Sequence, residues 1–304
     1  MMRGSKAVAV AVRDPKGQIV IHSEPLNAHV YGGPIARLPF LRGLTMLWDS
    51  LVLGMRSLMF SADVATGSVG TGMLVTQVLA SPILGADVTE GDSARPSAFE
   101  GPVMWGTLLV SLAFGIGLFF VIPKLLAQLV QRWTSSIVWG LGAEGALRLG
   151  LFIGYIWLIG FLPDIRRVFG YHGAEHKSIN AYEAGAPLTV EDVRPFTTAH
   201  ARCGTAFLLT VVVFSILVFA PLAKLPLGWG LIARILLIPV IAMLSYEFIR
   251  FSARHINNPL MRAIIAPSLA LQSLTTRPPD DSMIEVAIAA LKRVLDIEGS
   301  LVIE

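Results

Sequence analysis

Residues 102–123, PVMWGTLLVSLAFGIGLFFVIP, contain no charged side chain. A run of this length matches the roughly 20 residues that cross a hydrocarbon core. In lipid the backbone must satisfy its own hydrogen bonds, so such a run folds as a helix. Three further stretches follow the same rule: LGLFIGYIWLIGFLP at 149–163, GTAFLLTVVVFSILVFAP at 204–221, and 228–248. The second extends backward through Gly142–Leu147 with only Glu144 and Arg148 as charges, and the fourth carries Arg234 and Glu247 near its ends. Met73–Leu84 is broken by Gln77 and Pro82 and reads as interfacial or packed. The expectation is an all-α polytopic membrane protein with about four transmembrane helices. Composition agrees: 54% hydrophobic, 15% charged and a mean hydropathy of +0.66, where a soluble domain is nearer a quarter charged.

Lysine and arginine set the expected orientation. Eight precede the first span, five lie in 164–203 and six follow residue 248, against five on the opposite side. The excess places both termini and the 164–203 loop on the cytoplasmic side of an inner (cytoplasmic) membrane. A net charge of +3 without a basic block gives no support to nucleic-acid binding. The bilayer is the expected partner, and oligomeric state is not legible.

The chain divides into an N-terminal cytoplasmic segment, 1–35, and amphipathic or interfacial helices with a loop, 36–101. A four-span membrane domain, 102–248, encloses the His-rich loop 164–203, and a cytoplasmic tail runs over 249–304. In the first segment two alternating runs, 7–12 and 18–23, flank Asp14-Pro15-Lys16-Gly17 and predict a small β-hairpin. Helical spacing over 38–60 predicts a surface helix, and 86–101 a loop. In the tail, an Asp280/Asp281/Ser282 start followed by Ile284, Ile288, Leu291 and Leu295 predicts an amphipathic helix over 280–298. No internal repeat is present.

Chemistry concentrates in GYHGAEHKSINAYE, 170–183. His172 and His176, four apart, share one helical face, and Glu175 precedes the second histidine. That is the H-x-x-E-H order of zinc hydrolases. HARC, 200–203, adds His200 and the single cysteine, Cys203, at i, i+3 spacing, and both residue types ligate zinc. The two clusters lie at the ends of adjacent spans on the same expected membrane face, 23 residues apart. The candidate site is therefore His172, His176, His200 and Cys203 as ligands of a divalent transition metal, zinc foremost. Glu175 would be general base on metal-activated water. Glu183 is an alternative ligand or a carboxylate orienting a histidine ring. Lys177 and Arg202 could offset negative charge on a substrate. Three ligands with an open position would be catalytic, and a closed set of four with Cys203 structural.

Plainer alternatives stand beside each assignment. His172, Glu175 and His176 could be polar residues on a wet helical face, and Cys203 an inert small hydrophobe. Arg166 and Arg167 read as interfacial anchors. Glu144 and Arg148 read as an i, i+4 pair whose depth also makes them functional suspects. His22, His29 and His255 carry no partner pattern.

YHGAEHKSINAYE, LTVEDVR, HARCGTAFL, SYEFIR and LQSLTTRPPDDSMIEVAIAAL, with MMRG at the start, resemble the YqhQ family of bacterial membrane proteins. That family is catalogued as uncharacterised and, from its motif, as a predicted metal-dependent enzyme. The resemblance implies His172, Glu175, His176, His200 and Cys203 as the site. It also marks Arg277 and Asp280, for which a turn and a helix cap are the simpler reading. Family members usually carry a Gly/Gln/Glu-containing stretch before Met-Met-Arg-Gly, whereas this chain begins at Met1-Met2. The expected function is a membrane-embedded metal-dependent hydrolase acting on a peptide or a lipid-linked substrate. A membrane scaffold with a structural metal is the alternative. A transporter fits less well, since spans one and three hold no midplane charge.

Overall fold

A computed structural model of the chain describes residues 1–26, 38–44, 52–66, 102–200 and 203–299. Two compact units share them. One comprises Met1–Leu26, Trp48–Leu112 and Ala289–Glu304, the other Asn27–Leu47 and Ala113–Ile288.

In the first unit the expected hairpin is a three-stranded antiparallel sheet, β1 Met2–Arg3, β2 Ala7–Arg13 and β3 Ile19–Pro25. Met2 pairs with Ala9 and Arg3 with Val8; two residues are too few to show an alternating pattern, so this strand was not legible. The β2–β3 turn is as expected. Asp14 Oδ1 accepts from the backbone of Lys16 and Gln18, and Gly17 takes the left-handed φ of +84° that the turn requires. Ala7–Val10 are buried consecutively, so both faces of β2 are covered, with α1, Gly54–Thr66, packed on it. Glu298 closes the unit by accepting hydrogen bonds from the backbone of Ser5 and Lys6.

The helix expected over 38–60 is seen at Arg42–Leu44 and from Gly54 onward. Its middle, the run Met73–Leu84 and the loop 86–101 lie outside the described residues.

The second unit is helical. α2, Pro102–Ile116, whose residues up to Leu112 belong to the first unit, continues through a π-helical turn, Gly117–Val121, into α3, Ile122–Thr134. The first expected span therefore does not end at Pro123. Proline lacks an N–H donor, but here it falls in the first turn after the π-helical stretch, where the hydrogen-bond register changes. α4, Ile137–Ile159, runs through Glu144 and Arg148 without a break because the two are paired, 2.7 Å apart, and buried. Leu109–Thr134 and Ile137–Ile159 are each long and apolar enough to cross a membrane.

α5 (Pro163–Glu183) and α6 (Val190–Val193) occupy the stretch read as a loop. α7, Gly204–Phe219, ends in a 3-10 turn, Ala220–Lys224, and belongs to a shorter apolar helix. α8 (Leu227–Leu236) and α9 (Ile238–Arg254) form a pair bent by 43° that counts as a third possible span if taken as one. Pro239, in the first turn of α9, accounts for the break. The tail contains two helices rather than one, α10 (Pro259–Thr275) and α11 (Asp281–Glu298). α10 carries Pro267 inside it, which reads as a breaker in sequence, yet tertiary packing holds the helix. α11 begins within one residue of expectation, and Ile284, Ile288, Leu291 and Leu295 are all buried. Ile156 of α4, Leu209 of α7 and Leu271 of α10 form a small core, with Leu149, Phe152 and Leu274 packed against it. It ties α4 and α10 to α7, the helix that Cys203 immediately precedes.

Candidate metal centre

α5 starts at Pro163, whose fixed φ suits the first helical turn, and Asp164 favours the positive end of the helix dipole. It ends in a Schellman turn. Gly185 at φ +72° donates to the Tyr182 carbonyl, and Ala186 donates to that of Ala181. The short α6, capped by the Thr189 hydroxyl accepting from Asp192 N–H, then turns the chain back along α5. Residues 194–199 are held there by carbonyls that accept from α5 side chains. Lys177 donates to Arg194 and Phe196, Asn180 to Thr197 and Ala199, and His176 Nδ1 to Thr198. This return carries Cys203, at the start of α7, to the histidines.

His172 Nε2 lies 3.3 Å from Cys203 Sγ, and the His172 and His176 ring centroids are 4.4 Å apart. The ligand atoms of His172, His176 and Cys203 all fall within 4.8 Å of one another. His176 is 3% and Cys203 5% exposed, so the centre is shielded from bulk water. His172 Nδ1 donates to the Thr275 carbonyl over 2.8 Å, as His176 Nδ1 does to Thr198. With both Nδ1–H groups held by carbonyls, the lone pairs are on Nε2, the arrangement found behind metal-ligating imidazoles. Zn–N and Zn–S bonds of roughly 2.0–2.3 Å in a tetrahedron separate ligand atoms by roughly 3.5 Å. The three donors need only small movements to reach that spacing, so these residues could hold a metal ion.

Burial disfavours a charged His172 ring, but the Cys203 sulfur, the Thr275 carbonyl and Glu175 together raise its pKa above the usual histidine value. Glu175 is half-buried on the same helix and acts on His172 through its charge.

The other expected residues are placed differently. His200 is not among the three converging ligands; its ring centroid is 5.8 Å from that of His176, and its Nε2 is 3.5 Å from Glu183 Oε2. Glu183 thus sits as a carboxylate partner of His200, away from the three converging ligands. Lys177 holds the return segment in place of substrate charge, and Arg202 lies outside the described residues. Arg277 braces its own turn through the carbonyls of Ser273 and Thr276, and its N–H donates to Phe169 O. Asp280 caps α11, its Oδ1 accepting from Met283 N–H and the Ser282 hydroxyl. The simpler reading of both residues holds. Arg167 lies over the Tyr171 ring, 5.9 Å from its centroid.

Residue-by-residue reading did not single out Gln272, 1% exposed, whose side chain accepts from His200 N–H and donates to His200 C=O, each over 2.9 Å. An amide among the apolar residues of α10 was the available signal. Gly173 was also missed. A side chain there would strike the Arg277 carbonyl, so glycine lets the α10–α11 link cross α5 one residue after His172.

The chain belongs to the family described as "Protein of unknown function (DUF1385)", whose family model matches residues 38–297. It is 30% identical over 305 residues to a Bacillus subtilis (strain 168) protein described as "Uncharacterized protein YqhQ", covering 98% of this chain and 90% of that one. The kinship with the YqhQ family expected from the sequence is therefore shown. No solved structure matches the chain.

Proposed function

We propose that this chain is a metal-dependent hydrolase of the bacterial cytoplasmic membrane, its metal held by His172, His176 and Cys203 on the cytoplasmic surface. The observation that carries the reading is the convergence of three soft or borderline donors within 4.8 Å, two of them already oriented through Nδ1. A bound zinc ion would act as a Lewis acid and bring the pKa of a water toward neutrality. The residues supply the rest. Cys203 and the two imidazoles would hold the ion with three ligands, leaving water as the fourth, and Glu175 is the candidate to take up its proton. Burial of His176 and Cys203 keeps competing water out. The site lies beyond the C-terminal end of α4 and at the start of α7, which favours a peptide or lipid-linked substrate presented at the interface. The apolar helices support a multi-pass arrangement of two or three spans, fewer than the four expected, and the lysine and arginine distribution favours both termini on the cytoplasmic side.

The test is elemental analysis of chelator-washed, full-length protein beside a His172→Ala/His176→Ala double variant. About one equivalent of metal in the first and none in the second supports the centre. No metal in either, with no uptake on adding it back, overturns it.

One observation favours a second reading. The His200 side chain is only 10% exposed beside His176, and as a fourth ligand it would close the site into a structural one in a membrane scaffold. Metal retained after His200→Ala, with Glu175→Gln inactive, selects the hydrolase. Metal lost after His200→Ala selects the scaffold.

A further inference from the structure

A second group of ionisable residues lies among the apolar helices, and the metal centre makes no use of it. Lys124 of α3, Glu144 and Arg148 of α4 and Arg234 of α8 are all buried, at 2%, 4%, 4% and 0% exposure. Arg148 is the twelfth residue of the 23-residue α4, at its midpoint. Three basic side chains face one carboxylate, a formal excess of two positive charges.

Glu144 is already shared. Its Oε1 accepts from Arg148 Nη2 at 2.7 Å and from Arg234 Nη2 at 2.8 Å, and Oε2 is 3.1 Å from the same Arg234 nitrogen. Arg148 also donates from Nε to Phe119 O, and Lys124 donates to Leu225 O. Phe219 lies between the two guanidinium groups, its ring centroid 5.2 Å from each, and its quadrupole offsets part of their charge. Arg234 Nε and Nη1 are nonetheless buried without a hydrogen-bond partner. They carry three N–H donors between them, on a group that does not lose its proton. A neutral Lys124 would remove one charge and leave those donors unfilled. Beside the cluster a small cavity is lined by Lys124, Gln128, Gln131, Gly140 and Glu144; neither Arg148 nor Arg234 lines it.

From the excess charge and the unfilled guanidinium donors, we infer that Lys124, Arg148 and Arg234 form a binding site for a phosphate-class oxyanion. The anion takes the Arg234 Nε and Nη1 hydrogen bonds and neutralises the excess charge, while Glu144 keeps the two arginines apart and oriented. The inference does not rest on the metal centre. The same chemistry could come from a phospholipid headgroup or from free phosphate.

The experiment uses full-length protein in lipid nanodiscs. Thermal midpoints are measured against inorganic phosphate in nanodiscs of phosphatidylcholine, and against the phosphatidylglycerol fraction at fixed low phosphate. Native mass spectrometry of the wild type counts retained phosphatidylglycerol. A midpoint that climbs with inorganic phosphate identifies a soluble anion. One that climbs only with phosphatidylglycerol, with lipid retained in the mass spectrum, identifies a headgroup. In either case Lys124→Gln and Arg234→Gln should lose most of the dependence, while Lys292→Gln, exposed on α11, keeps it. Should both cluster variants fail to fold, the wild-type titration and mass spectrum decide. Absence of any dependence in the wild type, or equal dependence in a folded Arg234→Gln protein, overturns the site and leaves a hydrated ion network.

Discussion

His172 and Cys203, 31 positions apart in the chain, meet with Nε2 and Sγ 3.3 Å apart. The contact is built by the turn at Gly185 and by the three α5 side chains, His176, Lys177 and Asn180, that hold the returning chain. His176 serves both the centre and its scaffold, whereas Lys177 and Asn180 serve the scaffold alone.

Cys203→Ser keeps the size of the side chain but replaces a soft sulfur donor by a hydroxyl. Metal affinity should fall sharply, and metal-dependent stabilisation with it. A ligand at 100 times its Kd stabilises by about 2.7 kcal/mol, so wild-type protein should show a metal-dependent rise in thermal midpoint that the variant lacks. An unchanged rise in Cys203→Ser would remove the cysteine from the ligand set.

On the proposed hydrolase reading, Glu175→Gln leaves metal content intact and lowers hydrolytic turnover by roughly 10²–10⁴-fold, the usual contribution of a positioned general base. Metal stoichiometry and turnover measured on the same preparation separate the two effects. Undiminished turnover would rule out the general-base role.

Gln272→Ala removes the two hydrogen bonds that this side chain makes with the His200 backbone. A typical intramolecular hydrogen bond contributes about 0.5–1.5 kcal/mol. The return segment should loosen as well, which predicts weaker metal binding although no ligand is changed. A stability loss with unaltered metal affinity would confine Gln272 to the scaffold.

Gly173→Ala pushes a methyl group into the Arg277 carbonyl, which is backbone and yields poorly. Gly150→Ala, in α4 with nothing within 4 Å of the added carbon, is the matched control. The first should destabilise the protein and disturb the metal centre. The second should be neutral or stabilising by up to about 1 kcal/mol, the helix-propensity difference between the residues. Thermal unfolding of both variants in one detergent provides the comparison.

Asp280→Ala removes the α11 cap and should cost about 1 kcal/mol at neutral pH. Hydrogen bonds from Ser282 and from the Met283 N–H outweigh burial and hold the Asp280 carboxyl below its usual pKa. A depressed folded pKa gives stability that is present above the unfolded value, roughly 3.9, and is lost as pH falls through the folded value. The gap between wild type and variant should therefore be full near neutrality and shrink in acid below about pH 4. A gap that does not change with pH would assign the cap to geometry rather than charge.

Periodicity alone delivered the apolar helices, the β2–β3 turn at Asp14–Gly17, the buried stripe of α11 and the His172–His176 face, because each depends on residues within a few turns. The Glu144–Arg148 pair was legible for the same reason. Only the tertiary structure decided which distant groups meet. Local spacing made His200 and Cys203 equal candidates, yet the return segment brings Cys203 to the ligands and leaves His200 beside Glu183. Arg234 was read as a charge near a span end, and its burial against Glu144, 90 positions away, comes from the meeting of residues on two separate helices, α4 and α8. Local hydrogen bonding and hydrophobic period are written in adjacent residues. Ligand convergence and charge excess are sums over contacts between separate helices, and no single stretch of sequence contains them.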